Sequence, residues 1–422
     1  MPTSESLRIG MFGLRGLRPD LEISGFETAF SEIAPRLVER GHHVTIYGRA
    51  GAHSPERRTR SDSGVELRYM PSPGGKNLSA VASTGLAVAH ALATARFDVW
   101  LFVNVGMGHH AAIARLSGRP VVMCVDGLDW TRDKWGPLAR AYFRSAARAA
   151  VRACTTLITD AEAMRAYYLA QYARDSAMIA YGATLEHSAG PEAIARLGLA
   201  VNEYYLIVSR LIPENSLEAM LEGYRRSSVA KPLVVVGTAN YRDAFHARLN
   251  RIAGSDPRIR MAGHVSDQAL LNELWCNCYC YLHGHSVGGT NPALLRALGC
   301  GSAVLARDTV FNREVLGDIG EFFENDPASV CAAIESADRR PSEVARLRAR
   351  GPARILERYT WESVVDGYER VLREAVDRQP SHSPRSLDGV PAPRHSVQCT
   401  APHGREAAGV AIAHGDRRVS SK

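Results

Sequence analysis

Apolar residues along this chain alternate between two spacings. Short runs of aliphatic and β-branched residues, the length of strands, are separated by stretches in which apolar residues recur every three or four positions. In the first half the strand-like runs are Leu7–Gly13, His43–Tyr47, Val65–Tyr69, Val99–Val103, Pro120–Val125, Thr155–Thr159 and Met178–Tyr181. Between the first two, Phe26, Phe30, Ile33 and Leu37 fall on one helical face, so a helix is predicted from Phe26 to Arg40, closed by Gly41. The alternation fades between Gly182 and Asn202 and then restarts. Strands are predicted at Tyr205–Ser209, Pro232–Val236, Arg258–Ala262, Tyr279–Leu282 and Ala303–Ala306, with helices at Glu214–Arg225, Tyr241–Ile252 and Pro292–Leu298. Strand–helix–strand repetition is the pattern of parallel sheets covered by helices. Two such series read as an α/β protein of two Rossmann-like domains with a cleft between them. The expected boundaries are 1–185 and 200–360, then a C-terminal helix over 361–378 and a disordered tail over 379–422, rich in Pro, Ser, Gly and Arg.

Composition narrows the setting. The 422 residues are 45% hydrophobic and 23% charged, as in globular proteins, and no apolar run reaches the length of a membrane span. The start lacks a basic, apolar leader, so a cytoplasmic location is expected. Of the eight cysteines, Cys276, Cys278 and Cys280 form a C-x-C-x-C run. Zinc sites pair such runs with a distant second pair, absent here, so core packing is the reading. The net charge of +7 comes with no recognisable nucleic-acid reader, and no nucleic-acid partner is expected.

Three loops carry candidate chemistry. The first runs from Gly13 through Gly16 to Gly25, between a strand and a helix; its glycines suit either an anion-facing turn or a tight turn alone. The second, His283-Gly-His-Ser-Val-Gly-Gly-Thr-Asn-Pro292, places Gly288 and Gly289 where a backbone can approach a ligand. Thr290 and Asn291 can cap the helix that Pro292 begins. His283 and His285 are read as polar loop residues rather than metal ligands, having no acidic partner nearby. In the third loop, Asp126 and Asp129 follow a buried strand, a position that faces the cleft, although Asp-Gly also suits a simple turn. Trp130 and Trp135, with Arg132 and Lys134 between them, would line a sugar- or headgroup-contacting lip.

From Pro137 to Cys154 an Ala-rich helix is predicted, with Arg140, Arg144, Arg148 and Arg152 spaced four apart in one basic stripe. Leu138, Tyr142, Phe143 and Val151 would supply apolar surface beside it. The stripe suits a solvated face or an anionic membrane surface.

Several blocks together resemble bacterial glycosyltransferases of family 4, and within it the branch of capsule and cell-wall rhamnosyltransferases. They are Ile9–Gly16, Gly25–Thr28, Arg40–Tyr47, Lys76–Leu78, Asp126–Trp130 with Lys134–Gly136, Ile179–Gly182, Arg210–Asn215, His283–Pro292 and Phe311–Val315, in order across residues 7 to 375. The resemblance implies a GT-B fold, a nucleotide-diphosphate-sugar donor, a glycan or lipid-linked acceptor, net retention at the anomeric carbon, and no metal or other cofactor. It assigns Arg210 to the donor diphosphate and Asp126, where broader relatives have a histidine, to the reacting sugar. Asp129 joins Asp126 as a catalytic candidate. Gly16, Gly25, Asn215, Gly288, Gly289, Thr290, Asn291, Arg296 and Glu314 complete the expected donor site. One departure stands out: where relatives keep a ribose-binding glutamate, the helix reads Leu294-Leu-Arg-Ala297, so Arg296 reverses the charge. That leaves a catalytically silent homologue as the alternative to an active enzyme; a sugar-nucleotide epimerase fits the blocks poorly.

Overall fold

The computed structural model describes residues 5–17, 25–50, 58–73, 78–125, 127–132, 135–238 and 244–378. Asp126, Lys76, Asn77, Lys134, Tyr241 and the tail from 379 onward, on which several expectations rest, lie outside the described residues. The chain forms two sheets. The first contains β1 (Arg8–Phe12), β2 (His43–Arg49), β3 (Arg58–Arg60), β4 (Glu66–Met70), β5 (Val99–Val103), β6 (Val121–Cys124), β7 (Thr156–Thr159) and β8 (Ala177–Met178). The second contains β9 (Tyr205–Val208), β10 (Leu233–Val236), β11 (Ile259–Gly263), β12 (Cys280–His283), β13 (Ala303–Arg307) and β14 (Glu321–Phe323). Helices α1 (Gly25–Glu39), α2 (Ser79–Thr94), α3 (Gly108–Ala114), α4 (Pro137–Ala153), α5 (Glu162–Tyr172) and α6 (Glu192–Ala195) precede β9. The rest are α7 (Leu217–Arg226), α8 (Ala244–Gly254), α9 (Gln268–Asn277), α10 (Pro292–Gly299), α11 (Val310–Leu316), α12 (Pro327–Arg339), α13 (Pro341–Arg358) and α14 (Trp361–Asp377).

Strand order is β3-β4-β2-β1-β5-β6-β7-β8 in the first sheet and β11-β10-β9-β12-β13-β14 in the second. Every pairing is parallel except β3 with β4. The order reverses beside β1 in one sheet and beside β9 in the other. At each reversal, between β1 and β5 and between β9 and β12, the connections leave neighbouring strands in opposite directions and open a crevice at the carboxyl ends, where ligands bind in open parallel sheets. Burial on both faces explains the unbroken apolar runs: β5 is Val-Trp-Leu-Phe-Val, buried throughout.

The short edge strand β3, all of it exposed, has no hydrophobic pattern to announce it. The expected strand at Met178–Tyr181 shrinks to two residues, Ala177 and Met178, at the far edge of its sheet. Beyond the second sheet, α14 returns to the first domain. Tyr368 packs edge-on against Phe30 at 5.7 Å, and its hydroxyl lies 3.1 Å from the Cys124 thiol. Cys276, Cys278 and Cys280 are buried as packing residues, with the Cys278 thiol donating to the Trp275 carbonyl.

Candidate functional site

The carboxyl ends of the two sheets face each other, and their loops touch. Gly127 and Gly288 oppose so closely that a Cβ on Gly127 would lie 2.7 Å from the Cα of Gly288, whose φ of +108° itself favours glycine. Beside them, a Cβ on Gly289 would fall 2.0 Å from Oδ1 of Asp160, at the end of β7. The Thr290 hydroxyl donates to the Asp160 carbonyl. Gly25, opening α1, lies against Pro292, opening α10. Glycine at 127, 288 and 289 is therefore what lets two rigid sheets bring their loops into contact. Asn291 caps α10, its side chain accepting from Ala293 N–H at 2.9 Å, so the positive end of the α10 dipole lies at this junction.

On the second domain, Arg210 follows β9 and is exposed to the crevice. Asn215 is buried and donates from Nδ2 to the Arg210 carbonyl at 2.8 Å, so it holds the arginine's loop. His283 and His285 stack at 4.5 Å. The Tyr281 hydroxyl donates to the Val208 carbonyl and so accepts a hydrogen bond from Nδ1–H of His283, leaving Nε2 of that ring a buried acceptor with no partner among the described residues. Burial, then the neighbouring His285, pushes the His283 imidazole well below its ordinary pKa. Burial, with Arg210 and Arg132 adding to it, lowers His285 to about 3. Both rings are thus neutral at physiological pH. The buried Ser209 hydroxyl also lacks a partner among the described residues. Asn312 fixes the far side, donating to the carbonyls of His285 and Arg307.

On the first domain, Asp129 is buried and both its oxygens are engaged. Oδ2 accepts from Nδ2 of Asn104 at 3.0 Å, and Oδ1 lies 3.0 Å from Nε of Arg132. Asn104 and Arg132 thus fix the position of this carboxylate, a catalytic candidate of the sequence reading, at the junction. Asn104, which the sequence reading missed, sits at φ +70°, a backbone region costly for most residues and one that asparagine tolerates. Asp160 was missed as well, although the rule that selects Asp126, an acid just past a buried strand, selects it too.

The other expected site residues divide. Gly16 lies at φ +127° in the loop after β1, where Arg15 N–H donates to Glu27 at 3.0 Å. Glu314 reaches across the domains to accept from the amides of Glu162 (2.8 Å) and Ala163 (3.4 Å), capping α5. Arg296 turns toward α9: its guanidinium lies 4.7 Å above the Trp275 ring and donates to the Gln268 side chain at 2.9 Å. Trp130 forms no exposed lip; it is buried in the core of the first domain near Tyr167, because the turn at Asp129–Thr131 points it inward. Trp135 is half-buried against Phe143. In α4, Arg144, Arg148 and Arg152 are exposed, while Arg140 is half-buried. The apolar strip expected beside them is absent, since Val151 is buried and Tyr142 and Phe143 turn inward; Leu138 alone remains exposed.

Comparison with known proteins agrees with this architecture. Residues 24–182 match the model of the glycosyl transferase 4-like domain. No curated protein sequence matches the chain significantly. Among solved structures, sucrose-phosphate synthase from Thermosynechococcus elongatus superposes with a TM-score of 0.74 at 15% identity, covering 87% of this chain and 98% of that one. Anabaena HepE in complex with UDP-glucose gives 0.69 at 17% identity, over 87% and 100%. The catalytic domain of starch synthase IV from Arabidopsis thaliana, bound to ADP and acarbose, gives 0.69 at 12%, over 89% and 100%. The chain thus has the GT-B fold, and its residues 24–182 are similar to the glycosyl transferase 4-like domain.

Proposed function

We propose that this protein transfers a sugar from a nucleotide-diphosphate donor to a glycan or lipid-linked acceptor, with retention of anomeric configuration. The observation that carries the reading is the junction itself. Arg210, two neutral histidines and the N-terminal end of α10 lie on one domain, whose Gly288 meets Gly127 of a loop on the other. A planar guanidinium and the positive end of a helix dipole suit a diphosphate, and neutral imidazole acceptors suit sugar hydroxyls. Two structural neighbours, HepE and starch synthase IV, are bound to UDP-glucose and to ADP respectively, which supports a nucleotide-linked donor. The sequence blocks favour a hexose or deoxyhexose, rhamnose among them. Each role is filled by protein groups, and no metal is assigned.

In this reading the donor diphosphate rests on Arg210 and the α10 amides, and the acceptor enters from the first domain. The leaving phosphate can assist the incoming hydroxyl, so the protein need not supply a strong base. Asp126 orients the acceptor or stabilises positive charge on the sugar ring. The test is incubation with a panel of UDP-, GDP-, ADP- and dTDP-linked sugars, scored by release of nucleoside diphosphate. At least one sugar should be turned over. Asp126→Asn should lower that turnover by about 10²-fold with little change in donor affinity. A protein that binds donor but turns over none of the panel would be a silent homologue.

A further inference from the structure

We infer that Arg15 and Arg49, side by side at the carboxyl ends of β1 and β2, form a phosphate site for the acceptor on the wall of the first domain. This rests on the reading of the crevice as a sugar-transfer site, and it names the charged group the acceptor carries.

Three observations carry it. The first is placement. The Arg49 N–H donates to the Arg15 carbonyl at 3.1 Å, so the two residues adjoin where neighbouring parallel strands end. Gly48 permits this approach: a Cβ there would lie 2.8 Å from the Arg15 carbonyl oxygen and 3.1 Å from the Cα of Gly16. The Tyr69 ring lies against both glycines, 2.9 Å from a Cβ built on Gly16 and 3.0 Å from one built on Gly48, so the loop is tightly seated. Second, the loop is tied to the crevice. Glu27, in the first turn of α1, accepts from the Arg15 N–H at 3.0 Å, and Gly25, which opens that turn, lies against Pro292 at the start of α10. Third, both arginine side chains are half-buried, and among the described residues neither guanidinium has an ion pair or a hydrogen bond. Other arginines of the same sheet are paired: Arg8 meets Asp98 and Arg68 meets Glu66, both at 2.8 Å. Burial, and then the charge of Arg15, lowers the Arg49 pKa, with Glu27 acting the other way.

An arginine does not shed its proton at any physiological pH. Two adjoining, half-buried guanidiniums with no counter-ion therefore leave desolvation and mutual repulsion uncompensated until an anion arrives. A carboxylate has two oxygens and a single charge, which suits one fork. A phosphate monoester has three oxygens and about two charges, which suits both. In the proposed reading the donor diphosphate is served by Arg210 and α10 on the second domain. The anion on this wall then belongs to the acceptor, as a phosphate that joins it to a lipid or that sits on its sugar.

The test is calorimetric titration of the full chain with farnesyl phosphate and with glucose 1-phosphate, using farnesol and glucose as uncharged controls. UDP, GDP, ADP and dTDP are titrated separately. One of the two phosphates should bind the parent, and its control should not; farnesyl phosphate would mark a lipid-linked acceptor and glucose 1-phosphate a soluble sugar phosphate, and either supports the site. Arg15→Gln and Arg49→Gln should each weaken that phosphate at least tenfold and leave the bound nucleoside diphosphate within threefold. Neither should lower the melting temperature, because neither side chain has an internal partner to lose; Arg49→Lys should recover part of the loss. Binding of neither phosphate, or equal binding by parent and variants, overturns the site and leaves the donor reading standing. A fall in melting temperature in both variants would make the pair structural and overturn it as well. If the variants lose nucleoside diphosphate instead, the arginines serve the donor and the acceptor site fails. Arginine-dependent phosphate binding with no nucleoside diphosphate bound supports the site and removes the proposed donor.

Discussion

Arg296 occupies the position where the resemblance leads one to expect a ribose-binding glutamate, and its surroundings show how the substitution is accommodated. Its guanidinium lies over Trp275 and donates to both the side chain and the carbonyl of Gln268, in the first turn of α9. Burial lowers its pKa, with the nearby Cys300, Glu186 and Cys276 acting the other way. A cation at a helix start opposes the helix dipole, so stacking and hydrogen bonds must hold it. Arg296→Glu would exchange a cation–π contact for a carboxylate better suited to that helix end. The expected result is a stability loss of about 1 kcal/mol and donor affinity within threefold of the parent, read by thermal melts with and without nucleoside diphosphate. A tenfold change in affinity would put Arg296 inside the donor pocket. None of these partners was visible in the sequence. Leu-Leu-Arg-Ala shows a missing carboxylate; only the packing of α9 on α10 shows what replaced its contacts. The same holds for Asp129: its place after a strand was legible, and its two partners, 25 residues upstream and three downstream, were legible only in part.

Elements were read from periodicity, and they failed where periodicity fails. All strands except β3 and β14, and the helix at Pro292, are found where apolar runs and Asn-Pro placed them. Helices α2 and α3 were not predicted, because Ala, Gly and Ser dominate the first and Gly-His-His opens the second, leaving little contrast between faces. The return of α14 to the first domain was likewise invisible, since no local signal says which sheet a helix covers. Its clamp is ionic. Arg40, just after α1, lies 2.7 Å from Asp366 and 2.9 Å from Glu369, while Arg373 and His42 meet the other oxygen of Glu369 at 2.8 and 3.3 Å. Burial pushes the Glu369 carboxyl up, but hydrogen bonds from Arg40, Arg373 and His42 prevail and hold it at about 2. A depressed carboxyl contributes stability above its unfolded pKa near 4.3 and loses that contribution as pH falls toward 2. His42, lowered chiefly by burial, acts in the same direction below its unfolded pKa near 6.5. Glu369→Gln should therefore lower the melting temperature by several degrees at pH 7, corresponding to about 2 kcal/mol. The gap to the parent should shrink as pH falls from about 5 to 3. A gap that is constant across that range would show the latch contributes packing and not charge.

At the scale of the whole molecule, the proposed lipid-linked acceptor would require the crevice to lie close to a membrane surface. Among the described residues no helix is long and apolar enough to cross a membrane. The candidate contact is α4, directly after the Asp126–Arg132 loop, with Arg144, Arg148 and Arg152 exposed along one face and Leu138 89% exposed at its start. The adjoining α3 and the turn after it expose Ile113 at 47% and Leu116 at 80%. Because Tyr142, Phe143 and Val151 turn inward, apolar insertion is slight and attraction must come mainly from charge. Three cations at about 1 kcal/mol each amount to a loose, reversible hold. That hold requires anionic lipid and weakens once salt shortens the screening length below about 10 Å. In cosedimentation, the parent should bind vesicles containing phosphatidylserine at low ionic strength, release as salt rises, and ignore neutral phosphatidylcholine vesicles. Changing Arg144, Arg148 and Arg152 to glutamine should reduce binding at least tenfold, while turnover of a soluble acceptor analogue stays unchanged because that analogue needs no bilayer. If the triple variant binds as the parent does, or the parent does not bind, the stripe is a solvated face. The acceptor would then have to reach the crevice as a soluble glycan, presented to the same Asp126 loop from water instead of from the bilayer.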